Sequence, residues 1–369
     1  MSDIRLPRRQ WLATSSAMAC GLAYPASSQA ADPVPETGLV EYPEHQNLLY
    51  LLDGDGKKQT IASVAQWETR RSHILRNMQV VMGPLPSKDR IVPREMTVIE
   101  TVDDPAFTRK KIEYRTEAST TVRAWLFTPK RVRGKVAAVL CLHQTIGIGK
   151  DEPAGLGGNP NLHYALHLAQ RGFVTLAPDY PSFGEYKYEF TDAAYKSGTM
   201  KAVWDNMRAV DLLQSLPEVD GERIGVIGHS LGGHNSMFTA AFDTRIKAIV
   251  SNCGFTRFHK YYGGALKGWT SARYMPAINS AYNNDPNLVP FDFPEIVGAF
   301  APRAFLASAP VRDDNFEVSG VRDCMESARP VYDLFGKGER LQAQYPESAH
   351  DFPPEARQTA YRFLERGLS

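Results

Sequence analysis

The stretch RIGVIGHSLGGHNSMF, from Arg223 to Phe238, carries an apolar run into a glycine, a serine and a further glycine pair, after which helical patterning begins. Gly228-His229-Ser230-Leu231-Gly232 fits G-x-S-x-G, and it stands where that pattern has a physical meaning, between a strand and a helix. A serine on so sharp a turn needs neighbours without bulk, because larger side chains would strike the adjoining strand and helix. The helix start also offers backbone N–H groups with no internal partner. The stretch therefore predicts a nucleophile at Ser230.

A serine hydroxyl attacks poorly unless a base removes its proton. On a strand–turn–helix of this kind the partners follow in the order Ser, Asp/Glu, His. After Ser230 the chain has three histidines, His234, His259 and His350. His234 is too near in sequence to swing back, and His259 falls in an aromatic-rich stretch. His350, in YPESAHDFPPEAR, follows the last strand-like run and precedes the last helix, so it is the expected base. The acid is expected after RAFLASAP (303–310), where Asp313 and Asp314 both qualify and spacing does not separate them. Oxyanion donors are expected from the Leu231 N–H and from the loop LHQTIGIGKDEPAGLGG (142–158), with the Thr145 N–H ahead of Gln144. His143 reads as a residue that holds this loop in shape.

The surroundings supply the fold class. From Lys135 onward the runs VAAVLCLH (136–143), FVTLAPDY (173–180), RIGVIGH (223–229), IKAIVSN (246–252), RAFLASAP and LQAQYPE (341–347) alternate with helical segments. Such alternation predicts an α/β architecture, a mostly parallel, doubly wound sheet with helices on both faces. RKKIEYRTE (109–117) and TTVRAWLFTP (120–129) read as an antiparallel hairpin ahead of it. Earlier still, residues 60–83 have apolar positions at helical spacing and stop at Gly83-Pro84. One segment interrupts the alternation: residues 254–294, rich in Tyr, Trp and Phe, form an insertion before the penultimate strand, read as a lid or pocket wall.

With 369 residues, 43% apolar and 22% charged, the chain can build a sizeable core. A net charge of +1 gives no electrostatic reason to expect nucleic acid. No apolar stretch reaches the roughly 20 residues of a membrane span. Cys141, Cys253 and Cys324 are too few and too scattered for a disulfide framework, and no CxxC or HExxH pattern suggests a metal site. The N-terminus reads differently: PRRQWLA (7–13), a weakly apolar stretch and small residues before Ala30 have the layout of a twin-arginine export signal. The expected organisation is thus a signal over 1–30, an N-terminal extension over 31–104 and a catalytic domain over 105–369, in a periplasmic or secreted protein.

GHSLGG (228–233), the acid after the penultimate strand and AHDF (349–352) together resemble the α/β-hydrolase superfamily. More narrowly, residues 105–369 resemble its dienelactone-hydrolase-like and acetyl-xylan-esterase-like branch, near the catalytic domain of prolyl oligopeptidases. HQTIGIGKDEPAGLGG, LAPDYPSFGEY and APVRDDNF look like those of an exported bacterial subgroup. The resemblance implies the α/β-hydrolase fold, cofactor-free hydrolysis by a serine, and Asp313 as the acid. A Gln at 144, where relatives often have Gly, departs from the pattern.

Ester hydrolysis through an acyl-enzyme is the expected activity, on a small-molecule or polysaccharide ester. Trp269 and Tyr262 are candidates to stack on substrate, and Lys150, Glu152 and Arg273 are candidates for polar contacts. The alternatives are a prolyl-oligopeptidase-like peptidase, for which the stretch ahead of the core is too short to hold a propeller, and a binding protein on a hydrolase scaffold.

Overall fold

The computed structural model describes residues 39–369 apart from positions 54, 192 and 193, so the stretch read as an export signal lies outside the described residues. A short hairpin of β1 (Tyr50–Leu52) and β2 (Lys58–Thr60) leads to helix α1 (Val64–Met82). Ser63 and Gln66 form a capping box at its start, and Gly83 ends it with φ 94°. One face of α1 buries Trp67, Ile74, Leu75, Met78, Val81 and Met82 in the main core. The same face carries Arg70, fully buried, which bonds Glu295 and lies 3.2 Å over the Tyr42 ring.

The sheet begins earlier than the sequence reading placed it. Strand β3 (Met96–Asp103), inside the stretch assigned to the extension, pairs antiparallel with β4 (Phe107–Glu117), which pairs with β5 (Thr120–Pro129). β3 is an edge strand with no buried residue: its apolar side chains, Met96, Val98 and Ile99, stay exposed. Next come β6 (Val136–Leu142), α2 (Tyr164–Gln170), β7 (Val174–Pro178), α3 (Gly198–Ser215), β8 (Val219–His229), α4 (Leu231–Phe242) and β9 (Ile246–Asn252). With β10 (Ala304–Ser308) and β11 (Leu341–Gln344) from further along the chain, the nine-stranded sheet runs β11-β10-β9-β8-β6-β7-β5-β4-β3. Strands β6 to β11 are mutually parallel, and β5 joins β7 antiparallel.

Burial alternates along these strands as a two-sided sheet demands. Ala138, Leu140 and Leu142 face the core under α1, α3 and α4, while Ala137, Val139 and Cys141 face the one under α2 and the final helix. Because β7 and β8 lie on opposite sides of β6, the connections diverge there. The crevice beyond the carboxyl ends of β6 and β8 is where open α/β sheets place their ligands.

Between β9 and β10 the chain makes short 3₁₀ turns, the four-residue helix α5 (Ala277–Ser280) and helix α6 (Phe293–Gly298). β10 (Ala304–Ser308), α7 (Val318–Leu334), β11 (Leu341–Gln344) and α8 (Pro354–Gly367) complete the chain. Most rings of the aromatic insertion are core: Phe255, Phe258, Trp269, Phe291 and Phe293 are buried and pack on one another. Its buried rings pack on Phe238 of α4.

The Arg70–Glu295 pair ties α1 to α6 with both side chains out of water. Removing one member of a buried pair strands the other charge. Glu295→Gln is therefore expected to destabilise the fold by about 3 kcal/mol, read as a lower melting temperature, and Arg70→Met added to it to recover part of the loss. An unchanged melting temperature in the single variant would show that the fold does not depend on this ion pair.

Candidate active site

Ser230 follows the last residue of β8 and caps α4 with φ 53° and ψ −118°, a strained backbone for a non-glycine residue. Its N–H donates to the Asn252 carbonyl at 2.9 Å, and its own carbonyl accepts the first helical bond from His234 N–H. The flanking glycines are steric necessities. A Cβ on Gly228 would sit 2.2 Å from the Gly232 carbonyl carbon, and one on Gly232 would sit 1.9 Å from the Leu142 carbonyl oxygen. Leu231 is the first residue of α4, so its N–H has no partner within the helix.

His350 stands on the loop after β11, with Nδ1 3.0 Å from each carboxylate oxygen of Asp313. Asp313 Oδ1 also accepts the N–H groups of Asn315 at 2.9 Å and Phe316 at 3.0 Å. Burial opposes ionisation of this carboxyl, yet the His350 contact and the two N–H groups outweigh it and hold its pKa below the usual range. A carboxylate at Nδ1 fixes the proton there and leaves Nε2 as the basic nitrogen. The His350 ring lies 4.7 Å from that of His229, the residue before Ser230. Asp314, the alternative acid, is exposed.

The loop after β6 is braced from behind. His143 Nε2 accepts the Tyr180 N–H at 2.9 Å, so Nδ1 carries the proton and donates to the Gln144 carbonyl at 2.6 Å. In a trans peptide the following N–H, that of Thr145, points the opposite way, away from His143. Gln144 departs from glycine for a visible reason: its amide donates to both oxygens of Glu152, at 3.0 and 2.9 Å. Thr145 is exposed, and its hydroxyl meets Tyr274 OH at 2.9 Å.

Three expected substrate contacts are corrected. Glu152 is buried and clamps Gln144 together with the Asn159 N–H. Lys150 is buried between Asp179 at 3.0 Å and Glu185 at 2.8 Å, a pairing that offsets its burial. Trp269 is buried against His234, Phe258 and Tyr261, so its faces are already covered. Tyr262 is 59% exposed, with its hydroxyl 2.8 Å from Asn315 on the Asp313 loop.

Two residues escaped the sequence reading. Asn252 Nδ2 donates to His229 Nδ1 at 2.6 Å and to the Asp351 carbonyl at 3.2 Å, linking the serine turn to the histidine loop. Cys253, with φ 49°, contacts the same Asp351 carbonyl through Sγ at 3.5 Å and donates its N–H to Ser308. The available signal was their place at the carboxyl end of the strand beside β8. Cys253 Sγ, Asp313 and His350 are also the group of possible metal-ligating atoms found among the described residues, all within 4.8 Å of one another. The carboxylate and imidazole are occupied with each other at hydrogen-bond distance.

Burial lowers the pKa of His143, and takes His229 and His234 to about 3 each. The unfolded chain therefore binds protons below the ordinary value of 6.5 that these residues refuse when folded. Stability is full above that value and falls as pH drops from it, by up to about 1.4 kcal/mol per histidine and pH unit. His45 works in the opposite sense: its burial is outweighed by Glu295, which raises its pKa. Thermal melts from pH 7.5 to 5 are expected to show a falling melting temperature, with a shallower fall in His234→Gln. A flat profile would contradict the buried neutral state.

Comparison with known proteins gives three kinds of match. The model of the prolyl oligopeptidase family matches residues 161–363. The Bacillus subtilis (strain 168) protein YtaP is 29% identical over 257 residues, 66% of this chain and 83% of that protein. Carbohydrate esterase MZ0003, from an unknown prokaryotic organism, is 25% identical over 150 residues, but that alignment spans only 38% of this chain and 34% of the esterase. Among solved structures, a glucuronoyl esterase from Solibacter usitatus superposes with a TM-score of 0.68 at 18% identity, covering 91% of this chain and all of that one. The shared architecture is the α/β-hydrolase fold.

Proposed function

The chain belongs to the prolyl oligopeptidase family, and from that premise we propose that it is a serine hydrolase of carboxylic esters, with Ser230, His350 and Asp313 as its triad. The carrying observation is the buried Asp313 carboxylate on His350 Nδ1, with the imidazole packed beside the strained turn that holds Ser230. Ser230 Oγ attacks the ester carbonyl carbon while His350 Nε2 takes its proton. Negative charge moves to the carbonyl oxygen, where the N–H groups of Leu231 and Thr145 receive it. Collapse expels the alcohol, protonated by His350, and leaves an acyl-serine. Water, deprotonated by the same imidazole, then releases the acid and restores Ser230. Asp313 remains ionised throughout and stabilises the imidazolium.

Esters are favoured over amides by the company the chain keeps, since a carbohydrate esterase and a glucuronoyl esterase stand among its relatives and structural neighbours. These names also support an esterified carbohydrate as substrate, and the proposed export over residues 1–30 suits a polymer met outside the cytoplasm. The family name supports a second reading, a peptidase, which a dipeptide anilide tests.

The purified protein is expected to hydrolyse members of a panel of aryl acyl esters, acetylated xylan and a glucuronate methyl ester. Ser230→Ala should abolish turnover with little change in melting temperature. Asp313→Asn should lower kcat by about four orders of magnitude, as in other triads, and Asp314→Asn far less. Unaltered turnover in Ser230→Ala would overturn the assignment, and cleavage of the anilide alone would install the peptidase reading.

A further inference from the structure

Arg273, exposed on the insertion, forms no ion pair among the described residues. Nearby cations are neutralised: Lys150 by Asp179 and Glu185, Arg257 by Asp323 at 2.9 Å, Lys260 by Glu317 at 3.5 Å and Arg312 by Glu347 at 3.1 Å. Among the described residues no carboxylate lies within ion-pair distance of Arg273, whose one side-chain hydrogen bond is Nε to Ser182 Oγ at 2.7 Å.

The guanidinium is nonetheless held in place. Its central carbon sits 4.7 Å from the centre of the Phe183 ring, and Ser182 beneath it adopts a left-handed backbone with φ 71°. The main chain around it is pinned to the start of α3, by Gly198 N–H to the Ala272 carbonyl at 2.9 Å and Thr199 N–H to the Tyr274 carbonyl at 3.2 Å. A Cβ on Gly198 would lie 2.4 Å from the Arg273 carbonyl oxygen, so the two segments touch through backbone. Tyr180 OH donates to that same carbonyl. With Nε engaged, the two Nη groups remain as a planar fork of donors, the geometry that accepts a carboxylate in two parallel bonds.

The fork is linked to the candidate active site through packed side chains. Phe183 packs in one cluster with Tyr180, Ala202 and Leu231, the residue after Ser230, and Tyr274 lies against that cluster. Tyr274 in turn bonds Thr145 of the oxyanion loop. We propose that Arg273 is a specificity-determining residue that selects esters bearing a carboxylate, which it binds beside the scissile group. The proposal rests on the ester-hydrolase reading above and narrows its substrate class.

Two matched pairs test it. In the first the carboxylate is on the leaving group: 4-acetoxybenzoate against neutral 4-acetoxybenzamide. In the second it is on the acyl group: the mono-4-nitrophenyl ester of adipic acid against the 4-nitrophenyl ester of adipic monoamide. The wild type is expected to prefer the anionic member of at least one pair. Arg273→Gln should lower the anionic-to-neutral ratio of kcat/KM in that pair by about tenfold, through KM, and Arg273→Lys should keep part of it. Ser230-dependent turnover with a ratio that Arg273→Gln does not move overturns this proposal and leaves the ester-hydrolase reading standing. Absence of turnover on all four esters overturns that reading, and the carboxylate site with it.

Discussion

Gly232 approaches the end of β6 so closely that a Cβ on it would sit 1.9 Å from the Leu142 carbonyl oxygen. That contact fixes how α4 leaves the sheet, and with it the turn on which Ser230 stands. It also joins the serine turn to the loop that begins at His143, because Leu142 is the last residue of β6. Strand order does the rest. With β6 and β8 adjacent and their connections diverging, the two loops open onto one crevice.

Strain at this crevice is held by its surroundings. Ser230 and Cys253 both carry positive φ, on turns that follow the neighbouring strands β8 and β9, and Asn252, the last residue of β9, bonds the serine turn and the histidine loop together. Such backbone persists only where packing and hydrogen bonds over-determine it. The Asp313 carboxylate, the His350 ring and the Gln144 carbonyl are each oriented by groups behind them. The proposed oxyanion donors and base are in this sense set before any substrate arrives.

Much of this was legible in the chain. The apolar runs of the parallel strands, the glycines around Ser230 and the position of His350 after the final strand are local signals, and each follows from sterics or patterning. What was hidden depends on partners remote in sequence. Lys150 and Glu152 look like surface charges until Asp179, Glu185 and Gln144 are brought to them by the fold. Trp269 reads equally as a core ring or a stacking platform, and only the packing of Phe258 and His234 shows that its faces are taken. Strand β3 was missed although MTVIETVD holds Met96, Val98, Ile99 and Val102; at the sheet edge these side chains find no core, and the strand falls in the stretch assigned to the extension.

The central claim is that Ser230 is a nucleophile activated by an imidazole on a buried carboxylate. It is tested most directly by treating the protein with a fluorophosphonate and locating the adduct by peptide mass spectrometry. The account predicts one adduct, on Ser230, formed much more slowly in His350→Gln. An adduct on another residue, or labelling of Ser230 at an unchanged rate without the imidazole, would contradict it.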